Sequence, residues 1–327
     1  DMVKFTKNGS TATTAAIKLS RAFTGRKLIA RCSQHPFFSY DDWFIGSTQV
    51  PRGVPQEIVD QTKFFGYNDL EGFQRLLQEY PDELACVILE PVTDVEPKER
   101  FLHQLQDLCQ KHGVVFILDE MKTGFRFHKS GAQHYFDLKP DLSCFGKGMA
   151  NGFSVAAVAG CREIMELGSI ESEGQERVFL LSTTHGAEMS SLGAFVEVMK
   201  IYDELKVCDH LWSYGKKLQD SMNEIARTHG IEHYFQGTGY ACRPEYITRG
   251  QDGNPCLKFR TLFLQEMVRN GVLIPWVALC LRHGDLELQR TSEALDASLK
   301  IYAQALETGV ERFLEGPPIK PVFRRFN

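Results

Sequence analysis

Four short segments carry residue types that could do chemistry, and their order along the chain matters as much as their content. Asn8-Gly9-Ser10-Thr11 stands between a short strand and a strongly helical segment. A glycine turn opening a helix leaves backbone N–H groups without acceptors, and the helix dipole favours an anion there. Ser10 and Thr11 add hydroxyl donors suited to a phosphate, although an ordinary Ser/Thr helix cap would look the same. Asp119 closes the apolar run Val114-Val115-Phe116-Ile117-Leu118. A carboxylate at the end of a buried strand is costly unless a cation meets it, and a pyridinium nitrogen is one such cation. The plainer role is a cap on the following turn, with Glu120 exposed. Lys147 ends another apolar strand, in Cys144-Phe145-Gly146-Lys147-Gly148-Met149-Ala150. Its flanking glycines let the backbone approach a ligand closely. A partly desolvated lysine amine loses proton affinity and becomes a usable nucleophile toward a carbonyl. Finally, Ser182-Thr183-Thr184-His185-Gly186 precedes a long helical pattern, and its hydroxyls suit either a phosphate oxygen or a helix cap.

Elements must bring these segments together. Apolar runs at Leu28–Arg31, Leu84–Leu89, Val114–Leu118, Leu142–Phe145 and Val155–Ala159 read as strands, linked by helical periodicity. Ala12, Ala16, Leu19 and Phe23 lead to Gly25, while Phe101, Leu105, Leu108 and Cys109 lead to Gly113, both in the position of a left-handed cap. This alternation predicts an α/β fold with a mostly parallel sheet covered by helices. A long amphipathic helix is expected to start near Ala187. Helices at Trp212–His229, Phe259–Asn270 and Leu286–Leu306 then surround a polar turn at Asp252-Gly253, which reads as a smaller α+β domain. The expected division is 1–207 and 208–327.

The bulk properties exclude several classes. With 42 acidic against 37 basic residues, and the basic ones scattered, nothing points to a nucleic-acid partner. The apolar stretches are strand-sized, too short to span a bilayer. Nine single cysteines without a C-x-x-C pair read as reduced thiols of a cytoplasmic protein, not as a metal site or a disulfide framework. No signal peptide is visible, but the chain opens at Asp1 inside an apparent strand, so a native start upstream is expected. No Walker loop, G-x-S-x-G elbow, H-E-x-x-H or G-x-G-x-x-G occurs.

Together the segments resemble the class III aminotransferases, fold type I enzymes of pyridoxal 5'-phosphate (PLP), and within them the branch near glutamate-1-semialdehyde aminomutase. Asn8–Thr13 with Arg21-Ala22-Phe23-Thr24-Gly25-Arg26 is similar to the family's phosphate turn and helix. Val87-Ile88-Leu89-Glu90-Pro91-Val92 resembles its glutamate-proline strand, and Leu118-Asp119-Glu120-Met121-Lys122-Thr123-Gly124-Phe125-Arg126 its most specific segment. Gly131-Ala132-Gln133 and Pro140-Asp141-Leu142 lead into the lysine strand as in aminomutase-like members, and Lys147 follows Asp119 by 28 positions. The resemblance implies that Lys147 forms the Schiff base with PLP and shuttles the proton, and that Asp119 meets the pyridinium. It further implies that Gly9, Ser10 and Thr11 hold the phosphate and that Met121 packs on one ring face. Thr183 would reach the phosphate of a partner subunit, giving a homodimer with shared sites. The reaction implied is a ping-pong transfer of an amino group from an amino-acid donor to a carbonyl acceptor. An intramolecular aminomutase, or a PLP-fold scaffold without turnover, is the alternative.

The chain departs from that pattern in places. Where the family stacks an aromatic from a Tyr-His-Gly segment, this chain has His35-Pro36-Phe37-Phe38-Ser39-Tyr40, with Phe37 the best alignment and Phe38 next to it. Thr11 replaces a usual acidic residue. Pro275-Trp276-Val277-Ala278 stands where aminomutases carry a glutamate, and the family's N-terminal segment has no counterpart.

Overall fold

The computed structural model describes residues 1–93, 95–171, 174, 176–179, 181–186 and 188–326. It contains two compact units, Asp1–Glu204 and Leu205–Asn327. The first is built on a seven-stranded sheet. Its strands are β1 (Met2–Thr6), β2 (Leu28–Cys32), β3 (Thr62–Phe65), β4 (Leu84–Leu89), β5 (Val115–Asp119), β6 (Leu142–Phe145) and β7 (Ala156–Gly160). In space they run β1-β7-β6-β5-β4-β2-β3. Strands β3, β2, β4, β5 and β6 pair in parallel, whereas β7 lies antiparallel to both β6 and β1.

Strands β2, β4 and β5 are buried at every residue, which is why they read as apolar runs, broken only by Arg31 in β2 and by Asp119 at the end of β5. Strand β3, at the sheet edge, is only half buried and carries Thr62 and Lys63, so no apolar run announces it. Between β1 and β2 lies helix α1 (Gly9–Thr24), which buries Ala12, Ala15, Ala16 and Leu19. Its cap is Asn8, not Ser10 or Thr11: the Asn8 side chain accepts the Thr11 N–H. Gly25, at φ 68°, closes it, and Gly113, at φ 61°, closes Phe101–His112. Ala187, expected near the start of the long helix, lies outside the described residues; the helix runs Met189–Glu204. Its Phe195 packs edge-on against Phe5 and Phe125, at ring distances of 6.1 and 6.2 Å.

The second unit packs helices Val207–Thr228, Leu257–Arg269 and Asp285–Thr308 around an antiparallel pair, β8 (Phe235–Thr238) and β9 (Glu245–Thr248). Phe235, Tyr246, Phe263 and Tyr302 form its aromatic centre, with Phe263 4.9 Å from Phe235 and 4.8 Å from Tyr246. Among the described residues no helix is long and apolar enough to cross a membrane. No cluster of three metal-ligating side chains occurs among them either.

Candidate active site

Three neighbouring parallel strands end in residues of chemical interest: Glu90 follows β4, Asp119 ends β5 and Lys147 follows β6 by two positions. Carboxyl ends of adjacent parallel strands are where open α/β sheets place ligands. Here they meet the start of α1 around a cavity of about 350 Å³, a size suited to a small molecule. Gly9, Ser10, Phe37, Asp119, Met121 and Lys147 all line it. So do Tyr40, Glu90 and Lys122, which were not singled out from sequence. Glu90 was detectable by the logic applied to Asp119, since it too closes a buried apolar run.

Thr11 and Thr183 lie elsewhere. They line a second cavity of about 660 Å³, together with Lys18, Arg21 and Asp41. The Thr11 N–H and hydroxyl both point to Asn8 Oδ1, at 3.0 and 3.3 Å, so its donors are used in the helix cap. The N–H groups of Gly9 and Ser10, in the first turn of α1, have no intrahelical acceptor. Ser10 Oγ accepts the Tyr40 N–H at 3.2 Å, which ties the Gly9–Ser10 turn to the loop that carries the two phenylalanines.

The charges in the cavity are mixed. Asp119 is buried, and its side chain accepts the Met121 N–H at 2.9 Å, so it also caps the following turn. Burial, followed by the charge of Glu90, pushes its carboxyl up to about 7, against the pull of Met121 N–H, Lys147 and Lys122. Lys147 is exposed by surface area, unlike the half-dry amine expected, yet desolvation by the surrounding wall pulls its amine below the usual lysine range. Asp119 opposes that shift and Lys122 adds to it. The Lys122 ammonium sits 2.8 Å from Glu90 Oε1. Lys147 also adopts φ 47°, a left-handed conformation that costs a non-glycine residue of order 1–3 kcal/mol.

The walls follow from what the glycines leave open. A Cβ on Gly9 would come 2.8 Å from Met121 Sδ, and one on Gly146 would come 2.7 Å from the same atom. Two glycines thus make room for the methionine that faces the cavity. Phe37 and Phe38 differ in burial. Both line the cavity, but Phe38 is 2% exposed and packed against Trp43 and Phe44, whereas Phe37 is 45% exposed.

Glu120, expected to be exposed if Asp119 were only a cap, is fully buried. Its carboxylate accepts the Ala132 and Gln133 N–H groups at 2.9 and 2.7 Å and the Thr123 hydroxyl. Gly131, at φ 87°, passes so close that a Cβ would lie 2.6 Å from Glu120 Oε1. Gln133 in turn accepts from Ser143 Oγ on β6, at 2.7 Å. The strand pair that carries Asp119 and Lys147 is thereby pinned from its far side.

A mostly parallel sheet whose strand ends gather a buried carboxylate and a lysine beside a helix N-terminus defines a fold type I PLP transferase. Residues 1–280 match the family model of class-III aminotransferases, and the chain belongs to that family. It is 31% identical over 309 residues to 3-aminobutyryl-CoA aminotransferase of Cloacimonas acidaminovorans, covering 91% of this chain and 71% of that protein. Against glutamate-1-semialdehyde 2,1-aminomutase of Francisella tularensis subsp. mediasiatica it is 29% identical, covering 89% and 72%. Among solved structures, an omega-transaminase from Sphaerobacter thermophilus superposes with a TM-score of 0.82 at 26% identity, covering 93% of this chain and 75% of that one. The protein is a class III transaminase, and its cofactor is PLP. The donor set fits that cofactor: an amine, a carboxylate, two apolar walls and a helix N-terminus line one cavity.

Proposed function

We propose that the first unit is the PLP-binding domain and that the protein moves an amino group from an amino-acid donor to a carbonyl acceptor in two half-reactions. The observation that carries this is the convergence of Lys147 and Asp119 on one cavity against the Gly9–Ser10 turn. When bound, PLP supplies the aldehyde that accepts the amino group and a ring that takes up electrons. Lys147 is the nucleophile and then the base that moves a proton at the substrate carbon; its lowered proton affinity suits both tasks. Asp119 would meet the ring nitrogen, Met121 and Phe37 would pack against the ring, and the Gly9 and Ser10 N–H groups would hold the phosphate.

Thr11 completes the cap behind that turn. Thr183, whose wall belongs to the other cavity, is assigned to the phosphate of a second copy, which makes the enzyme a homodimer with shared sites. Nine cysteines outside any disulfide, five of them buried, accord with a cytoplasmic location. The 31% identity to 3-aminobutyryl-CoA aminotransferase makes β-amino acyl compounds the first substrates to try, beside glutamate as donor.

The test is the visible absorbance of the PLP-saturated protein. It should be present in wild type and absent in Lys147→Ala; a colourless wild type refutes the assignment. Aminomutase activity is the second reading, favoured by identity to glutamate-1-semialdehyde aminomutases. Stoichiometric consumption of an amino donor distinguishes the transferase from the mutase.

A further inference from the structure

Lys122 is not an ordinary surface lysine. It lines the same cavity as Lys147, and Glu90 Oε1 holds its ammonium at 2.8 Å. Glu90 is 2% exposed and its other oxygen, Oε2, has no hydrogen-bond partner, so the buried carboxylate depends on Lys122 for compensation. Glu90 is fixed in turn by its own N–H, which His35 Nδ1 accepts at 3.0 Å. A cation pinned in this way cannot swing out to water without orphaning the glutamate.

We propose that the Glu90–Lys122 pair is a positioning device for Lys147: Glu90 anchors the Lys122 ammonium inside the cavity, where its positive charge opposes a second positive charge on the Lys147 nitrogen. This rests on the assignment of Lys147 as the PLP-linked nucleophile. The charged groups that act on the Lys147 nitrogen are Asp119 at the end of β5, Glu90 after β4, and Lys122 and Arg126 on the segment following β5. The two carboxylates favour the proton there, and the two cations oppose it. Arg126 also donates to the Lys122 carbonyl at 2.9 Å, which fixes the backbone from which Lys122 reaches in.

The experiment is a pH titration of the visible absorbance of the PLP-loaded protein, which reports the proton on the Lys147 nitrogen, in wild type and three variants. Lys122→Met, which keeps the length and removes the charge, should raise the midpoint by about one pH unit, a tenfold gain in proton affinity. Lys122→Arg, which keeps the charge, should stay within roughly 0.3 unit of wild type. Glu90→Gln removes the anion and frees the cation, two effects of opposite sign, so its midpoint should not fall below that of wild type. A lowered midpoint in Glu90→Gln means that the ammonium stays in place without Glu90 and overturns the anchoring. Midpoints that coincide in Lys122→Met and wild type overturn the proposal. If Lys122→Met does not fold, a lowered midpoint in Glu90→Gln overturns it instead. A wild type that binds PLP without absorbance tied to Lys147 sinks the assignment of the nucleophile, a different failure from an unmoved midpoint.

Discussion

Strand β5 ends in two adjacent carboxylates, and the regions on its two sides treat them differently. On one side, Glu120 is enclosed by the Gly131–Gln133 turn and accepts from Thr123, Ala132 and Gln133. On the other, Asp119 faces the cavity with one backbone N–H and two ammonium groups in the neighbourhood. Burial raises the proton affinity of both. For Glu120 the donors that pull it back all belong to the fold's own turn, whereas Asp119 is pulled back by one backbone N–H and by the charges of Lys147 and Lys122 in the cavity. A buried carboxylate with its hydrogen bonds complete holds a structure together, while one left short marks where a ligand's charge is awaited.

The difference can be broken most directly at Glu120. Glu120→Ala removes the acceptor for two buried backbone N–H groups and a hydroxyl, and it should destabilise the protein by about 3–5 kcal/mol in denaturant unfolding. A loss under about 1 kcal/mol would mean that water replaces the carboxylate and that the turn is not anchored there.

Asp119→Asn should do the reverse in the PLP-stripped protein. The folded chain raises the Asp119 carboxyl to about 7, against an ordinary aspartate near 3.9. Between these values the folded state keeps a proton that the unfolded state has released. The associated stability is complete below about pH 4 and is lost as pH rises through about 7. Asparagine, neutral throughout, escapes that loss and still accepts from the Met121 N–H. The variant should therefore be more stable than wild type at pH 8, on the order of 1–3 kcal/mol, with the advantage shrinking toward pH 5. Its affinity for PLP should fall. Thermal melts of both proteins across this range decide the matter; an advantage that grew on acidification would show the sign to be wrong.

Gly131→Ala probes the turn that encloses Glu120. Its φ of 87° is unfavourable for alanine, and the new methyl would meet Glu120 Oε1 at 2.6 Å. A destabilisation of about 1–3 kcal/mol is expected, with PLP affinity retained if the two sides of β5 are separable. Joint loss of stability and cofactor would show that the turn and the cavity act as one unit.

How much of this could be seen in the chain itself depended on whether a residue's surroundings were local. Strands β2, β4, β5 and β6 were visible because burial on both faces leaves a mainly apolar run, and Asp119 and Lys147 stood out as polar residues closing such runs. Strand β3 was hidden, since an edge strand need not be apolar. Glu120 escaped because its two backbone partners lie twelve and thirteen residues on, across a turn whose closeness only Gly131 hints at. The Glu90–Lys122 pair was hidden for a similar reason. It exists because β4 and β5 are neighbours in the sheet, and sheet order is not written in either strand. Likewise Thr11 carries a phosphate-binding residue type but spends its donors on Asn8, a choice set by backbone geometry at the helix start.

The faintest test lies in the two phenylalanines, where the same division between structure and ligand falls on adjacent residues. Phe38 is 2% exposed and fills the space beside Trp43 and Phe44, so Phe38→Leu should cost stability, by about 1 kcal/mol. Phe37 is 45% exposed and touches Phe44 only with its edge, at 5.5 Å between ring centres. Phe37→Leu should leave unfolding within about 0.5 kcal/mol of wild type. It should still weaken PLP binding by about 1 kcal/mol, the worth of an aromatic pair beyond its buried area. Equilibrium binding of PLP and denaturant unfolding, measured on both variants, separate the two roles. If Phe38→Leu weakened the cofactor more than Phe37→Leu at equal stability, the stacking ring would be Phe38 and Phe37 would belong to the cavity rim.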